Sequence, residues 1–480
     1  MSRALSPRAL LWAGMTAFAL GFSVLSVLQH AAFNTGRFDL GNMTQVVWST
    51  ANGDFLRMTS LEGEQISRLA AHVDPILALF APLWLVWPSP DLLVTSQAVL
   101  VALGALPVFK LARKHLGSER AALLIALAYL LQPSVQWLVL TEFHPVALAT
   151  PLLLWAFWFL DEGRLLPFAA VAVLACATKE EIPLAVAGMG LWYAFSRRQW
   201  RAGLLIALVG VVWAGVAVEV VIPHFSPVGE SQFLGRYEEV GGSPGGILKT
   251  IFTDPIRVLE HAFDHQGARY LLELAIPLGI LWALSPAAML VSVPDLALNL
   301  LSDTPTQSSI HFHYTAGVIP GIVVAAIFGA ARLRRLEIGR RVGPVALAGV
   351  LLVLAVASNW HLGAIPVWRD VWGGETLGAY DSRVTEHDRI AARVLRQVPG
   401  DAVVSATNSL GAHLSERRRI LSFPRLLDAT WIAVDETKLS THDNLVALPA
   451  AKRLVELRAD PRWKLVASED GILLFRKASG

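Results

Sequence analysis

Cysteine and charge are scarce in this chain, and the short signatures of soluble enzymes are missing. The single cysteine, Cys176, stands in an apolar run, which excludes a disulfide framework and a thiolate metal site. Asp, Glu, Lys and Arg make up 16% of the 480 residues, where soluble domains carry about 25%. With 54% hydrophobic residues, that shortage points to an integral membrane protein. A net charge of +2 gives no argument for nucleic acid, and none is expected as a partner. GxGxxG, the P-loop, HExxH and GxSxG do not occur, so nucleotide hydrolysis and serine or zincin chemistry are unsupported. No repeat of solenoid period and no low-complexity tract is present.

What the chain does have is apolar runs. A membrane span needs roughly 17–25 residues, or fewer where the bilayer thins. The runs at 9–28, 91–109, 121–140, 145–160, 165–178, 182–195, 202–222, 271–284, 286–301, 315–331 and 342–359 are the candidates. The first resembles a signal peptide after Arg3 and Arg8, but no small-x-small site precedes Gln29-His30, so a retained anchor is expected. Pro75–Trp87 is apolar, short and rich in Pro and Trp, and reads as an interfacial or re-entrant helix. Lys and Arg gather before the first run and at 110–120, 164, 197–201 and 332–341. Placing them all inside gives about eleven spans in an inner (plasma) membrane, N-terminus cytoplasmic. The predicted architecture is an α-helical polytopic domain over 1–360 with a long outer loop at 29–75 and a linker at 361–384. A small α/β domain over 385–480 follows outside the membrane. Its strands are predicted at 402–406, 419–423, 431–435 and 463–476, with a hairpin turn at Glu469-Asp470-Gly471.

The polar residues of interest fall on the outer side in this topology. Asp39, in the first loop, reads either as a helix N-cap or as a general base or metal ligand at the membrane surface. Asp74-Pro75 carries the same ambiguity; His72 is not explained by capping. In Thr141–Pro145, Glu142 and His144 point the same way if the segment is extended, which suits metal ligation or proton transfer. Lys179-Glu180-Glu181 joins runs of about fourteen residues, roughly 21 Å against a core of about 30 Å. That draws the turn into a water-filled depression, where a lysine with acidic neighbours suits an anionic substrate. His311, His313 and Tyr314 precede a span and fit either an aromatic belt or the same site.

The motifs FDLGNMTQVVWSTANGDF, HVDPILALFAPLWLVW, TEFHPVALATPLLLWAFWFLDEGR, KEEIPL and HFHYTAGVIP occur in this order. With them the chain resembles the domain-of-unknown-function 2079 family of polytopic membrane proteins, over nearly its whole length. More distantly it is similar to GT-C membrane glycosyltransferases, which have a long first outer loop with an acidic residue and use polyprenyl-phosphate-linked sugars. The resemblance implies Asp39 as the catalytic residue and a lipid-linked sugar, or another lipid phosphate, as the ligand. The physical argument adds Lys179, Glu180, Glu181, His311, His313 and Tyr314 as substrate-binding groups. It also offers His72, Asp74, Glu142 and His144 as a set that could hold a divalent metal ion. A transporter or lipid flippase and a non-catalytic scaffold are the alternatives. The absence of an internal repeat argues against transport.

Overall fold

The computed structural model describes residues 5–229, 234–336, 341–365, 382–444 and 449–478. The first long helix, Pro7–Ala31, begins where it does because the Ser6 hydroxyl accepts from the Ala9 N–H and Pro7 needs no donor at the first position. Four described helices are long and apolar enough to cross a membrane: Pro7–Ala31, Asp91–Leu116, Trp200–Phe225 and Pro344–Leu362. Glu119–Leu130 and Pro133–Leu140 make a fifth if joined across their 46° bend, which falls at a residue without an N–H to continue the ladder.

Length and composition alone therefore do not reach eleven. Pro145–Asp161, Leu165–Cys176 and Val318–Leu333 are apolar but shorter. The runs at 271–284 and 286–301, expected as a hairpin of spans, are corrected by the structure. They are broken into His265–Ala275, Ile276–Leu278, Leu281–Leu284, Pro286–Met289 and Val293–Leu300. Pro277 and Pro286 interrupt the ladder, and Gly279 and Ile280 turn left-handed at φ 64° and 58°. Pro75–Phe80 and Ala81–Trp84 form one short apolar unit followed by exposed Leu85, Val86 and Trp87, as suits an element lying at an interface. Most of the 361–384 linker lies outside the described residues.

Small residues set the closest helix contacts. Gly190 and Gly203 bring Ile182–Arg197 and Trp200–Val216 together, and a Cβ on Gly188 would fall on the Leu290 carbonyl. Gly188→Ala should therefore destabilise the bundle by about 1–3 kcal/mol, as overpacking does, read as a lower unfolding midpoint in detergent.

The bundle has two chemically different ends. At one, Arg8 and Arg113 meet Glu119, and Lys114, His115 and Arg197 surround the buried Asp161. At the other, the first loop, the 141–145 and 177–181 turns and the 309–314 segment converge. The Ile76 N–H donates to the Ala177 carbonyl, and the Thr141 hydroxyl to that of His311.

The C-terminal domain sits on this second end. Val404–Ala406 pairs in parallel with Ile420–Ser422 on one side and Trp431–Asp435 on the other. The hairpin Trp463–Glu469 with Ile472–Lys477 adds antiparallel to the last of these. Asp470 and Gly471, at φ 47° and 79°, make the tight turn read from the sequence. Glu386–Leu395 starts on a Thr385–Asp388 capping box, and Ala391 and Val394 bury against the sheet's Val404 and Leu474. The domain is fastened to the first loop. The buried Arg37 donates to the Ser422 hydroxyl at 2.6 Å and to the carbonyls of Ile420 at 3.0 Å and Thr59 at 2.8 Å. His413 stacks between His30 and Phe33.

Candidate active site

Asp39 is not a cap. The helical turn Arg37–Gly41 begins after Gly36 and runs into Asn42–Ala51, leaving the Asp39 side chain 45% exposed on the wall of a cavity of about 790 Å³. Two groups of the Thr141–Pro145 turn hold it there. The Glu142 carboxylate accepts from the N–H groups of Gly36 and Leu40 at 3.0 and 2.9 Å, fixing the backbone on both sides of Asp39. His144 Nε2 lies 3.2 Å from Asp39 Oδ1.

The protonation of this pair follows from its neighbours. His144 Nδ1 faces the Thr141 carbonyl at 2.8 Å, which can only accept, so Nδ1 carries a hydrogen. One further proton must lie between Nε2 and Asp39, making the two a proton-sharing dyad. Burial alone would raise the Asp39 carboxyl, but the His144 hydrogen bond and charge, with His442 and Arg68, bring it below the ordinary carboxylate value. Burial and the Asp39 charge push Glu142 well above it, against the two backbone donors. The negative charge therefore resides on Asp39.

Across the cavity, His313 stacks on His144 with centroids 3.7 Å apart, and Tyr314 follows at 4.2 Å. Burial, with the charges of His144 and Lys179, holds the His313 imidazole well below its usual range, so it is neutral at pH 7. Lys179 Nζ is 2.7 Å from Glu181 and 5.5 Å from the Tyr314 ring centre. Burial works against its charge, but Glu181 and Glu180 raise it above the usual lysine value, so it stays cationic. Arg236 reaches the Tyr314 hydroxyl at 3.3 Å. Asp39, His72, Lys179, Arg236, His313 and Tyr314 thus line one cavity. His311 sits beside them, packed on Trp137 and hydrogen-bonded to Ser309, and does not line the cavity.

The four residues expected as metal ligands do not form one ligand set. Asp74 is held by Arg68 at 2.7 Å in a buried bidentate pair, His72 by Glu180 at 2.8 Å, Glu142 by the backbone and His144 by Asp39. Each of the four has a partner within the protein in place of a shared ion. Among the described residues, Glu239, His261 and Asp303 could hold a metal ion, at a place outside the cavity's lining. Sequence reasoning missed Arg68 and His442. The second comes from the C-terminal domain and rests on Phe38 at 5.5 Å, a contact no local pattern encodes.

Glu180 gives a pH test. Burial would raise its carboxyl, but the His72 charge and hydrogen bond, with Lys179, lower it to about 2. A depressed carboxylate stabilises the fold above its unfolded value, about 4.3, and the contribution is lost as pH falls from there toward about 2. Glu180→Gln should flatten the acid side of an unfolding-midpoint profile relative to the parent chain, leaving the region above pH 5 parallel to it.

Behind Lys179 a second chamber of about 260 Å³ continues into the bundle. Its wall is largely apolar, with Leu184, Ala214, Val218, Ile222 and Leu298 from helices that reach the bundle's surface.

Comparison with known proteins bears on the family and the fold. Residues 29–474 match the family described as "Predicted membrane protein (DUF2079)". The crystal structure of ArnT from Cupriavidus metallidurans in the apo state superposes with a TM-score of 0.52 over 96% of both chains, at 14% sequence identity. At that identity the likeness is one of fold. No curated protein matches the sequence.

Proposed function

The chain belongs to the DUF2079 family of predicted membrane proteins, and from that premise and the site's geometry we propose that it is a membrane glycosyltransferase. In this reading the donor is a polyprenyl-phosphate-linked sugar used on the outer face of the membrane. The observation that carries the proposal is the shared cavity. A carboxylate held by a histidine and a permanently cationic lysine line one space, on the fold of ArnT, a GT-C glycosyltransferase.

An inverting transfer needs those two groups and little else. Asp39 takes the proton of an acceptor hydroxyl as its oxygen attacks the anomeric carbon. The bond to the lipid phosphate breaks on the opposite face, and the departing phosphate carries away the electron pair and its negative charge. Lys179 and Arg236 meet that charge. The proton taken by Asp39 stays on its Oδ2, while His144 holds Oδ1 and is itself kept in place by the Nδ1 hydrogen bond to Thr141. The scheme routes nothing through a metal, because the ligand set read from the sequence is committed to other partners.

The bundle's two ends support this sidedness. Under the positive-inside rule the cluster of Arg8, Arg113, Lys114 and Arg197 favours a cytoplasmic face at that end, with the cavity and the C-terminal domain on the outer side of an inner membrane.

Lys179→Met tests the phosphate role. It removes the cation while keeping a side chain of similar length, and transfer by membrane vesicles from a polyprenyl-phosphate-linked sugar should fall about 100-fold or more, as for loss of one charge-stabilising donor. Parental transfer by this variant would reject Lys179 as the phosphate group.

A further inference from the structure

The smaller chamber contains a carboxylate that the transfer reaction does not use. Asp295, on the helix Val293–Leu300, is 5% exposed and lines this chamber. Its Oδ1 has no hydrogen-bond partner, and among the described residues its carboxylate makes no ion pair. The other charges nearby are engaged: Lys179 with Glu181 at 2.7 Å, and Glu180 with His72 and the Val73 N–H. Gly317 makes room for it, since a Cβ there would fall on the Asp295 carboxylate. A buried carboxylate is costly to ionise without a partner, and its position in a cavity leaves room for a cationic ligand to supply the counter-charge.

We propose that this chamber binds a ligand bearing a primary ammonium group, with Asp295 as its counter-ion. Three features favour ammonium over a metal. A hard cation asks for six or more oxygens, and Asp295 supplies the one uncommitted carboxylate. Among the described residues the metal-competent triad lies elsewhere, at Glu239, His261 and Asp303. The chamber also lines the site with the Tyr237 ring for a cation, and with Leu184 and Leu298 for the carbon attached to it.

Burial, with the Glu181 charge, raises the Asp295 carboxyl to about 8 against the pull of Lys179, which keeps it the neutral acid at pH 7 until a cation binds. Lys179, Glu180 and Glu181 face it from the turn before Ile182, Arg236 and Tyr237 from the 234–240 turn, and His313 and Tyr314 from the segment before Val318. Binding an ammonium ion then displaces the Asp295 proton to solvent, so affinity rises with pH.

The test uses the purified full-length chain in detergent and methylammonium chloride as the probe. Thermal unfolding and calorimetry in two buffers of different ionisation enthalpy should show saturable stabilisation, with release of one proton. Asp295→Asn keeps the size of the neutral acid and should bind at least tenfold more weakly. An unsaturable response, equal binding by Asp295→Asn, or no proton release overturns the proposal. Equal stabilisation by sodium chloride would make this a metal site, and equal stabilisation by tetramethylammonium would make it a nonspecific cation effect; either also overturns it. Should Asp295→Asn fail to fold, the proton release and pH dependence of the parent chain decide alone. None of these readouts involves transfer, so the outcome is independent of Asp39 chemistry.

Discussion

Asp39→Asn is expected to lower transfer by about 100- to 10,000-fold, the range a positioned general base contributes, while the protein folds and inserts as before. The substitution keeps the shape of the side chain. The asparagine amide can donate to His144 Nε2, which is free to accept once Nδ1 donates to Thr141. Glu142 still holds the Gly36 and Leu40 N–H groups, so the backbone that carries residue 39 has no reason to move. Only the capacity to take a proton is lost. The parent enzyme has a matching pH signature. Because Asp39 lies below the ordinary carboxylate value, the acid limb of kcat/KM should fall below pH 4, and the rate should be level from there toward neutrality. Vesicle transfer measured across pH, with the amount of folded variant checked by detergent-solubilised gel filtration, separates lost chemistry from lost protein.

Arg37→Met should have the largest effect on stability, although it lies two residues from the base. Its guanidinium is 1% exposed and is the principal cation joining the first loop to the C-terminal sheet. Replacing it leaves the buried carbonyls of Thr59 and Ile420 and the Ser422 hydroxyl without their donor. Hydrogen bonds to a charged group contribute about 1.5–3 kcal/mol each, so a loss of at least about 3 kcal/mol is expected even with strong non-additivity. Limited proteolysis should release a C-terminal fragment from Arg37→Met at protease levels that leave the parent intact. Arg37→Lys should behave as an intermediate, since it keeps the charge and loses the forked geometry. Both variants should also weaken transfer, because the same contacts place His442 against Phe38 and beside Asp39. The C-terminal domain is in this sense one wall of the site.

How much of this was legible in the sequence depends on the range of the interaction. Runs with strong local signals became the elements they suggested: 9–28 became Pro7–Ala31, and 431–435 became Trp431–Asp435. Asp470-Gly471 formed its turn because two left-handed residues in sequence define one. The runs at 271–284 and 286–301 misled because hydropathy counts apolar residues and is blind to proline and left-handed breaks. Lys179 was readable as unusual because the apolar runs flanking it are short for a membrane span. Glu142 and His144 were singled out together as metal ligands on an extended segment, whereas Glu142 turns left-handed at φ 54°. Their roles depend on Gly36, Leu40 and Asp39, about a hundred residues away, and spacing within a five-residue turn holds no information about those partners. Asp295 was hidden for the same reason, inside a run that looked like a span.

The central claim is that Asp39 and Lys179 act on opposite sides of one bond in a lipid-linked donor. A cryo-electron microscopy structure of the Asp39→Asn chain in nanodiscs with a bound polyprenyl-phosphate sugar tests it most directly. The phosphate is expected within hydrogen-bond reach of Lys179 Nζ, with the anomeric carbon turned toward residue 39. A phosphate bound at the Arg8–Lys114–Arg197 end, or a sugar facing away from residue 39, would contradict it.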